Sequence, residues 1–127
     1  MKPFRLLVTG SRHWDADDTI GNALTTQLAL CTALGQPLRL VHGGCATGAD
    51  KIADQWARWH RDGGVTIERW PAAWRRHGRA AGPLRNKAMV DAGADIVFAF
   101  IRSSSPGATG CAALAEQAGI PVRRWTA

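Results

Sequence analysis

Val41-His42-Gly43-Gly44-Cys45-Ala46-Thr47-Gly48-Ala49-Asp50-Lys51 reads as a buried strand that runs into a glycine-rich turn and then into a helix. The glycines at 43, 44 and 48 leave backbone N–H groups bare of side chains, and the helix N-terminus beside them adds a partial positive charge. Such a turn can cradle a phosphate or another anion with no catalytic side chain. It is not a Walker P-loop, because no Gly-Lys-Ser/Thr closes it, and it is not a regular G-x-G-x-x-G fingerprint. Any tight strand-to-helix connection needs similar glycines, so the anion reading has to be decided by the rest of the chain.

Outward from this stretch, strands and helices alternate. Arg5 to Thr9 reads as a buried parallel strand ended by Gly10. Asp15 to Leu34 reads as a helix whose apolar stripe is Ile20, Leu24, Leu28 (or Gln27), Cys31 and Leu34, with Gly35 as its C-cap. Leu38 to His42 is the second strand. Thr47, with Asp50 three residues on, predicts a capping box that opens a helix with Ile52, Ala53, Trp56, Ala57 and His60 on one face. Val65 to Glu68 is a short third strand, and Trp70 to Arg79 reads as irregular and basic. Gly82-Pro83 starts a third helix with Leu84, Ala88 and Ala92 turned inward. Ile96 to Ile101 is the fourth strand, a loop runs from Arg102 to Gly107, a helix from about Thr109 to Ala118, and a last strand from Val122 to Trp125.

This alternation predicts an α/β fold over residues 1–127: a single Rossmann-like domain with a doubly wound parallel sheet of about five strands and helices on both faces. In the strand order 3-2-1-4-5, the loops Gly10-Ser11-Arg12, Gly43 to Gly48 and Ser103 to Gly110 meet over one crevice at the carboxyl edge. Three glycine-containing loops at one edge point to an anion site more specifically than any one of them.

The chain has 127 residues and a net charge of +6, with a pI of about 10.3, which favours anionic partners such as nucleotides, nucleic acid or phosphorylated metabolites. Lysine stands only at positions 2, 51 and 87, so the positive charge is nearly all arginine, which grips phosphate bidentately. A local cluster gathers Arg69, Arg75, Arg76, His77, Arg79, Arg85 and Lys87. Cys31, Cys45 and Cys111 form no CxxC, and the four histidines have no metal-ligand spacing, so neither a disulfide framework nor a metal site is expected. No apolar run approaches the roughly 20 residues that span a bilayer, and the N-terminus leads straight into a strand; a cytoplasmic protein with no membrane partner and no cofactor is expected.

Four segments together resemble the YspA-like branch of the SLOG superfamily. They are Val8 to Arg12 with Trp14 and Asp15; His42-Gly43-Gly44 through Gly48-Ala49-Asp50 and Ala53; Gly82 to Asn86 with Met89; and the Gly107 to Gly110 loop. That Rossmann-like group also contains the LOG (lysine-decarboxylase-like) phosphoribohydrolases and the DprA/Smf DNA-processing proteins. The resemblance implies a site for nucleotides or nucleotide-derived molecules at the carboxyl edge. LOG enzymes carry Pro-Gly-Gly-x-Gly-Thr-x-x-Glu after the fourth strand; here the stretch is Pro106-Gly107-Ala108-Thr109-Gly110-Cys111-Ala112-Ala113-Leu114. The catalytic Glu position is therefore Leu114, while the family's catalytic Arg matches Arg85. Asp50, Asp15 and Glu116 are the carboxylates that would have to substitute.

The expected ligand-binding residues are Gly10, Ser11, Arg12, Gly43, Gly44, Thr47, Gly48, Asp50, Arg85, Asn86, Gly107, Ala108, Thr109 and Gly110, with no catalytic residue assigned. Arg12 and Arg85 each read as a phosphate-binding guanidinium or as a solvated surface arginine. Trp14 reads as a base-stacking ring or as core. Cys45 reads as a small packing residue, because no base stands beside it in sequence. Trp56, Trp59, Trp70 and Trp74 are expected to divide between core and a homo-oligomer contact, with a two-fold dimer by base rate and by analogy with LOG enzymes. The favoured function is sensing or sequestering a nucleotide-derived ligand. An N-glycosidic phosphoribohydrolase and a DNA- or RNA-binding module are the alternatives.

Overall fold

Residues 2–127 are described by a computed structural model. Five strands form one sheet: β1 (Phe4–Gly10), β2 (Leu38–His42), β3 (Val65–Arg69), β4 (Ile96–Ile101) and β5 (Val122–Thr126), in the order β3-β2-β1-β4-β5. Every neighbouring pair is parallel; Leu6 lies opposite Leu40 on one side and opposite Ile96 on the other. The helices are α1 (Asp17–Ala33), α2 (Ala49–Trp59), α3 (Trp74–His77), α4 (Ala81–Asp91) and α5 (Pro106–Gln117).

The near-continuous apolar run of β1 follows from burial on both faces. Leu6 and Val8 pack with Ile20 and Leu24 of α1 and with Ala53 and Trp56 of α2. Leu7, between them, turns to the opposite layer, where Met89 and Val90 of α4 and Cys111 and Ala115 of α5 wait. Phe98, Phe100 and Trp125 stack along the α1 side of β4 and β5, with Trp14 edge-on to Phe100 at 5.6 Å. The parallel five-stranded sheet expected from sequence, with a helix layer on each face, is what the structure has, and its order is the 3-2-1-4-5 considered there.

Several helix boundaries and one helix face differ from the sequence expectation. α1 starts at Asp17, not Asp15, because the Trp14 N–H donates to Ser11 O (3.2 Å) and the Trp14 indole donates to Ala16 O (3.0 Å), which holds residues 11–16 as a loop. Leu34 lies beyond the end of α1 and is 71% exposed. The segment after Trp70 is not wholly irregular: α3 and a 3-10 turn at Gly78–Ala80 feed α4, which begins at Ala81. Its inward face is Gly82, Asn86, Met89 and Val90, while Leu84, Ala88 and Ala92, expected inside, are all exposed. The polar Asn86 occupies an inward position because its amide has partners there, as described below. α5 begins at Pro106, not Thr109, with proline at the first helical position. Among the described residues no helix is long and apolar enough to cross a membrane.

Candidate functional site

β1 and β4 are adjacent parallel strands whose connections leave in opposite directions, which opens a crevice at their carboxyl ends. Gly10, Gly43, Gly44, Gly48, Gly107 and Gly110 all lie at this edge, after β1, β2 and β4. Two cavities of about 430 and 540 Å³ meet there, sharing Arg12, Trp74 and Arg85. The first is floored by the loop Gly43 to Thr47 and walled by Pro71. The second is less polar, bounded by Thr9, Gly82, Pro83, Gly107, Gly110 and Leu114. Among the described residues no carboxylate and no lysine lines either cavity.

The glycine loop is held from behind by two buried side chains. The Gly44 N–H donates to His42 Nδ1 (2.9 Å), and the Cys45 N–H donates to Asp50 Oδ2 (3.2 Å). The Gly43 N–H also stabilises the Asp50 carboxylate. This corrects two expectations. The first three N–H groups of the loop are not bare, because His42 and Asp50 accept them. Asp50 and Thr47 do not form a capping box, because α2 begins at Ala49 after Gly48, whose position has no side-chain cap, and the Asp50 carboxylate turns back under the loop instead. Burial raises the Asp50 carboxyl above its ordinary value, against the opposing pull of His42, the Cys45 and Gly43 N–H groups and Arg85. Gly48 has φ +72°, and a β-carbon there would stand 2.6 Å from the carbonyl carbon of Arg12, so only glycine fits.

Both ring nitrogens of His42 are engaged. Since Nδ1 accepts from Gly44, Nε2 carries the proton and donates to Asp54 Oδ2 at 2.7 Å. Burial by itself would raise the Asp54 carboxyl, but Arg69 and His42 outweigh it and hold the group below its ordinary value. His42 therefore has no free nitrogen to activate Cys45, whose Sγ lies 4.0 Å from Thr47 Oγ1. His42 and Asp54 were not among the expected site residues. The signal available in the sequence was a histidine that ends an otherwise apolar strand.

Arg85 reaches the crevice from α4. Its Nη1 donates to Gly43 O and to Trp70 O (3.1 Å), and its Nε donates to Asn86 Oδ1 (2.7 Å). Asn86 in turn donates from Nδ2 to Gly107 O (3.4 Å), tying α4 to the start of α5. Arg12, from the loop after β1, lies 5.3 Å from the centroid of the Trp74 ring. Neither arginine has an ion-pair partner among the described residues, so both keep their charge facing the crevice.

The expected ligand residues therefore separate by position. Arg12, Gly43, Gly44, Thr47, Arg85 and Asn86 line the crevice, as do Gly107 and Gly110. Gly10 and Gly48 sit in close packing behind it, and a β-carbon on Gly10 would be 2.8 Å from Phe100 O. Ser11 is 3% exposed; its hydroxyl donates to Arg102 O (3.1 Å) and accepts from the Arg102 N–H (2.7 Å), which fastens the β1 loop to the β4 loop. Ala108 packs against Ala99, Ile101 and Ala112, and Thr109 is exposed away from both cavities. The reason is the early start of α5, which turns 107, 110 and 114 toward the crevice and 108, 111, 112 and 115 toward the sheet.

Leu114 lines the crevice, so the LOG glutamate position is at the site and apolar here. Asp50 is separated from the crevice by Gly43. Asp15 is 82% exposed and pairs with Arg102 at 3.1 Å, and Glu116 is held by Arg124 at 2.6 Å. The tryptophans disperse: Trp14 and Trp56 are core, Trp70 is half-buried and donates to Glu68, Trp59 is 74% exposed, and Trp74 stands in the crevice. Trp74 was expected as core or as an oligomer contact, and its place between the two cavities was not read from sequence.

A family model described as "YspA, cpYpsA-related SLOG family" matches residues 4–77, which run from β1 through α3 and include the glycine loop but not Arg85. The chain is 47% identical over 120 residues to the Gene 61 protein of Mycobacterium phage D29, and the match covers 93% of each chain. No solved structure matches it.

Proposed function

The chain belongs to the YspA, cpYpsA-related SLOG family, and from that premise we propose that it binds a phosphate-bearing, nucleotide-derived ligand in the β1/β4 crevice and holds it without cleaving it. The observation that carries this reading is a pair of arginines, Arg12 and Arg85, facing a crevice that no carboxylate lines. Phosphate lies against Arg85 and the remaining loop N–H groups of Ala46 and Thr47, since the earlier ones are already bonded. The base lies toward Trp74 and the less polar cavity around Pro83 and Leu114. Ligands of doubly wound sheets sit at this switch point as a rule, which supports the placement.

The hydrolase alternative needs a carboxylate at the sugar, and Leu114, Asp50, Asp15 and Glu116 provide none that reaches the crevice. Incubation of the protein with nucleoside monophosphates is expected to release no free base by chromatography; release at several turnovers per minute overturns the binding-only reading. Binding itself is tested by thermal unfolding against a nucleotide panel. A ligand at a hundredfold excess over its Kd stabilises the native state by about 2.7 kcal/mol. Arg85→Ala is expected to remove most of that shift, and a panel with no shift at all refutes the site.

A further inference from the structure

On the far side of the glycine loop lies a smaller cavity, about 180 Å³, bounded by His42, Lys51, Asp54, Arg58 and Arg69. It shares Gly44 and Cys45 with the crevice, so the two spaces are separated only by the loop. Lys51, Asp54 and Arg58 are three and four residues apart and share one face of α2, while Arg69 ends β3. Three cations thus face a single carboxylate. Asp54 accepts from His42 Nε2 (2.7 Å) and from Arg69 Nε (2.7 Å) and Nη2 (3.2 Å), and it pairs with Arg58 Nε (3.0 Å). Lys51 has no ion pair among the described residues.

This arrangement suits an anion better than it suits solvent alone. Each guanidinium has five donors and gives only one or two of them to Asp54, so donors remain for another acceptor. The shared carboxylate fixes both forks before a ligand arrives, which lowers the ordering cost of binding. Two guanidiniums drawn to one carboxylate also repel each other, and an incoming anion relieves that repulsion. The cavity is smaller than the ~300–1,000 Å³ typical of pockets for whole small molecules. It therefore fits a phosphoryl group and not a base-bearing nucleoside.

Resting on the crevice as the seat of one phosphate, we propose that the Lys51–Arg58–Arg69 cavity is a second phosphate subsite, and that the ligand is a nucleotide carrying at least two phosphate groups, which straddles the loop at Gly44 and Cys45.

The test compares calorimetric affinities of the full chain for a nucleoside monophosphate and the triphosphate of the same base, at fixed ionic strength. Lys51→Ala and Arg58→Gln are the variants; among the described residues Lys51 makes no ion pair whose loss would unsettle the fold, and Arg58 is half exposed. Each is expected to weaken the triphosphate about tenfold, the scale of one lost charge-assisted hydrogen bond. Each should leave the monophosphate within about twofold, since screening limits longer-range effects. An unchanged triphosphate affinity overturns the proposal, and so does an equal loss for both ligands, or a single-stranded oligonucleotide that binds more tightly than the triphosphate with the same dependence on Lys51. A separate readout keeps the two sites distinguishable. Inorganic pyrophosphate is expected to shift the Arg58 and Arg69 Nε–H resonances in the parent and in Arg85→Ala alike. If these resonances stay still in both, the second subsite fails; if Arg85→Ala keeps full nucleotide affinity, the crevice reading fails.

Discussion

A β-carbon on Gly43 would lie 2.6 Å from Arg85 Cζ, the far end of a movable side chain, and 3.1 Å from Asp50 Oδ2. Gly43→Ala must therefore push the arginine off the loop, and it is expected to cost little stability, about 1 kcal/mol or less, while abolishing the nucleotide-dependent melting shift. Gly107→Ala is the contrasting case, because its β-carbon meets no described atom within 4 Å and the position is inside a helix. That variant should melt at or above the parent temperature while narrowing the crevice; an unfolded Gly107→Ala would contradict the geometry. Glu68 makes a second residue-level prediction. Its carboxylate takes a bidentate bond from Arg5 (2.8 and 2.8 Å), which, against some burial, lowers its pKa from 4.5 to about 2. Here the folded state binds fewer protons than the unfolded chain, so the stabilisation is complete above the ordinary glutamate value and is lost as pH falls through about 2. Urea midpoints of Glu68→Gln should fall less steeply than the parent's between pH 4.5 and about 2; parallel curves would dismiss the pair as a source of acid sensitivity.

The connection between β2 and α2 depends on Asp50 rather than on a cap. The Asp50 carboxyl is raised, chiefly by burial, so the folded state holds its proton to higher pH than the unfolded chain. Stability from this group is therefore lost as pH rises from the ordinary carboxylate value through the raised one. Asp50→Asn keeps an oxygen for the Cys45 N–H and removes that loss, so its stability should decline less with rising pH. Asp50→Leu leaves the Cys45 donor without a partner and should cost about 1–3 kcal/mol. If the two variants melt alike, the carboxylate is not what holds the loop. The strands were legible because β1, β2 and β4 are short, largely apolar runs and β3 and β5 each follow glycine or proline, and the glycine after β1, β2 and β4 marked the binding edge. The helices were less so. The start of α5 was placed three residues late because Pro106-Gly107 reads as a turn, although proline at a helix's first position does the same job. Asn86 read either as a ligand contact or as a surface residue of α4, because an inward amide breaks the apolar period, and only its bonds to Arg85 and Gly107 explain its buried place. Trp74 was hidden for the same kind of reason: what makes it a crevice wall is the approach of Arg12 and Gly82 from other segments.

At the scale of the molecule, the +6 net charge has a local expression in the unpaired arginines of the crevice. Nucleotide affinity is accordingly expected to fall as salt rises, with a shallower dependence in Arg12→Ala; an affinity indifferent to salt would argue that phosphate is not the group being held. The homo-oligomer expected from the tryptophan-rich segment narrows to Trp59, since Trp56 is core and Trp74 faces the crevice. Sedimentation of the parent at high concentration should give a dimer and Trp59→Glu a monomer, and a monomeric parent refutes that contact. The latch between Ser11 and Arg102 has a further consequence, in time rather than in space. Its partners are 91 residues apart, and those of the Arg85–Gly43 contact are 42 apart. Contacts at such separation close late, after the local helices and the first strand pairs. On a ribosome the first two strands emerge with their glycine turns long before the residues that complete the crevice. Nucleotide capture should thus appear as the slowest phase in refolding, and a nascent chain halted before residue 102 should show none of it.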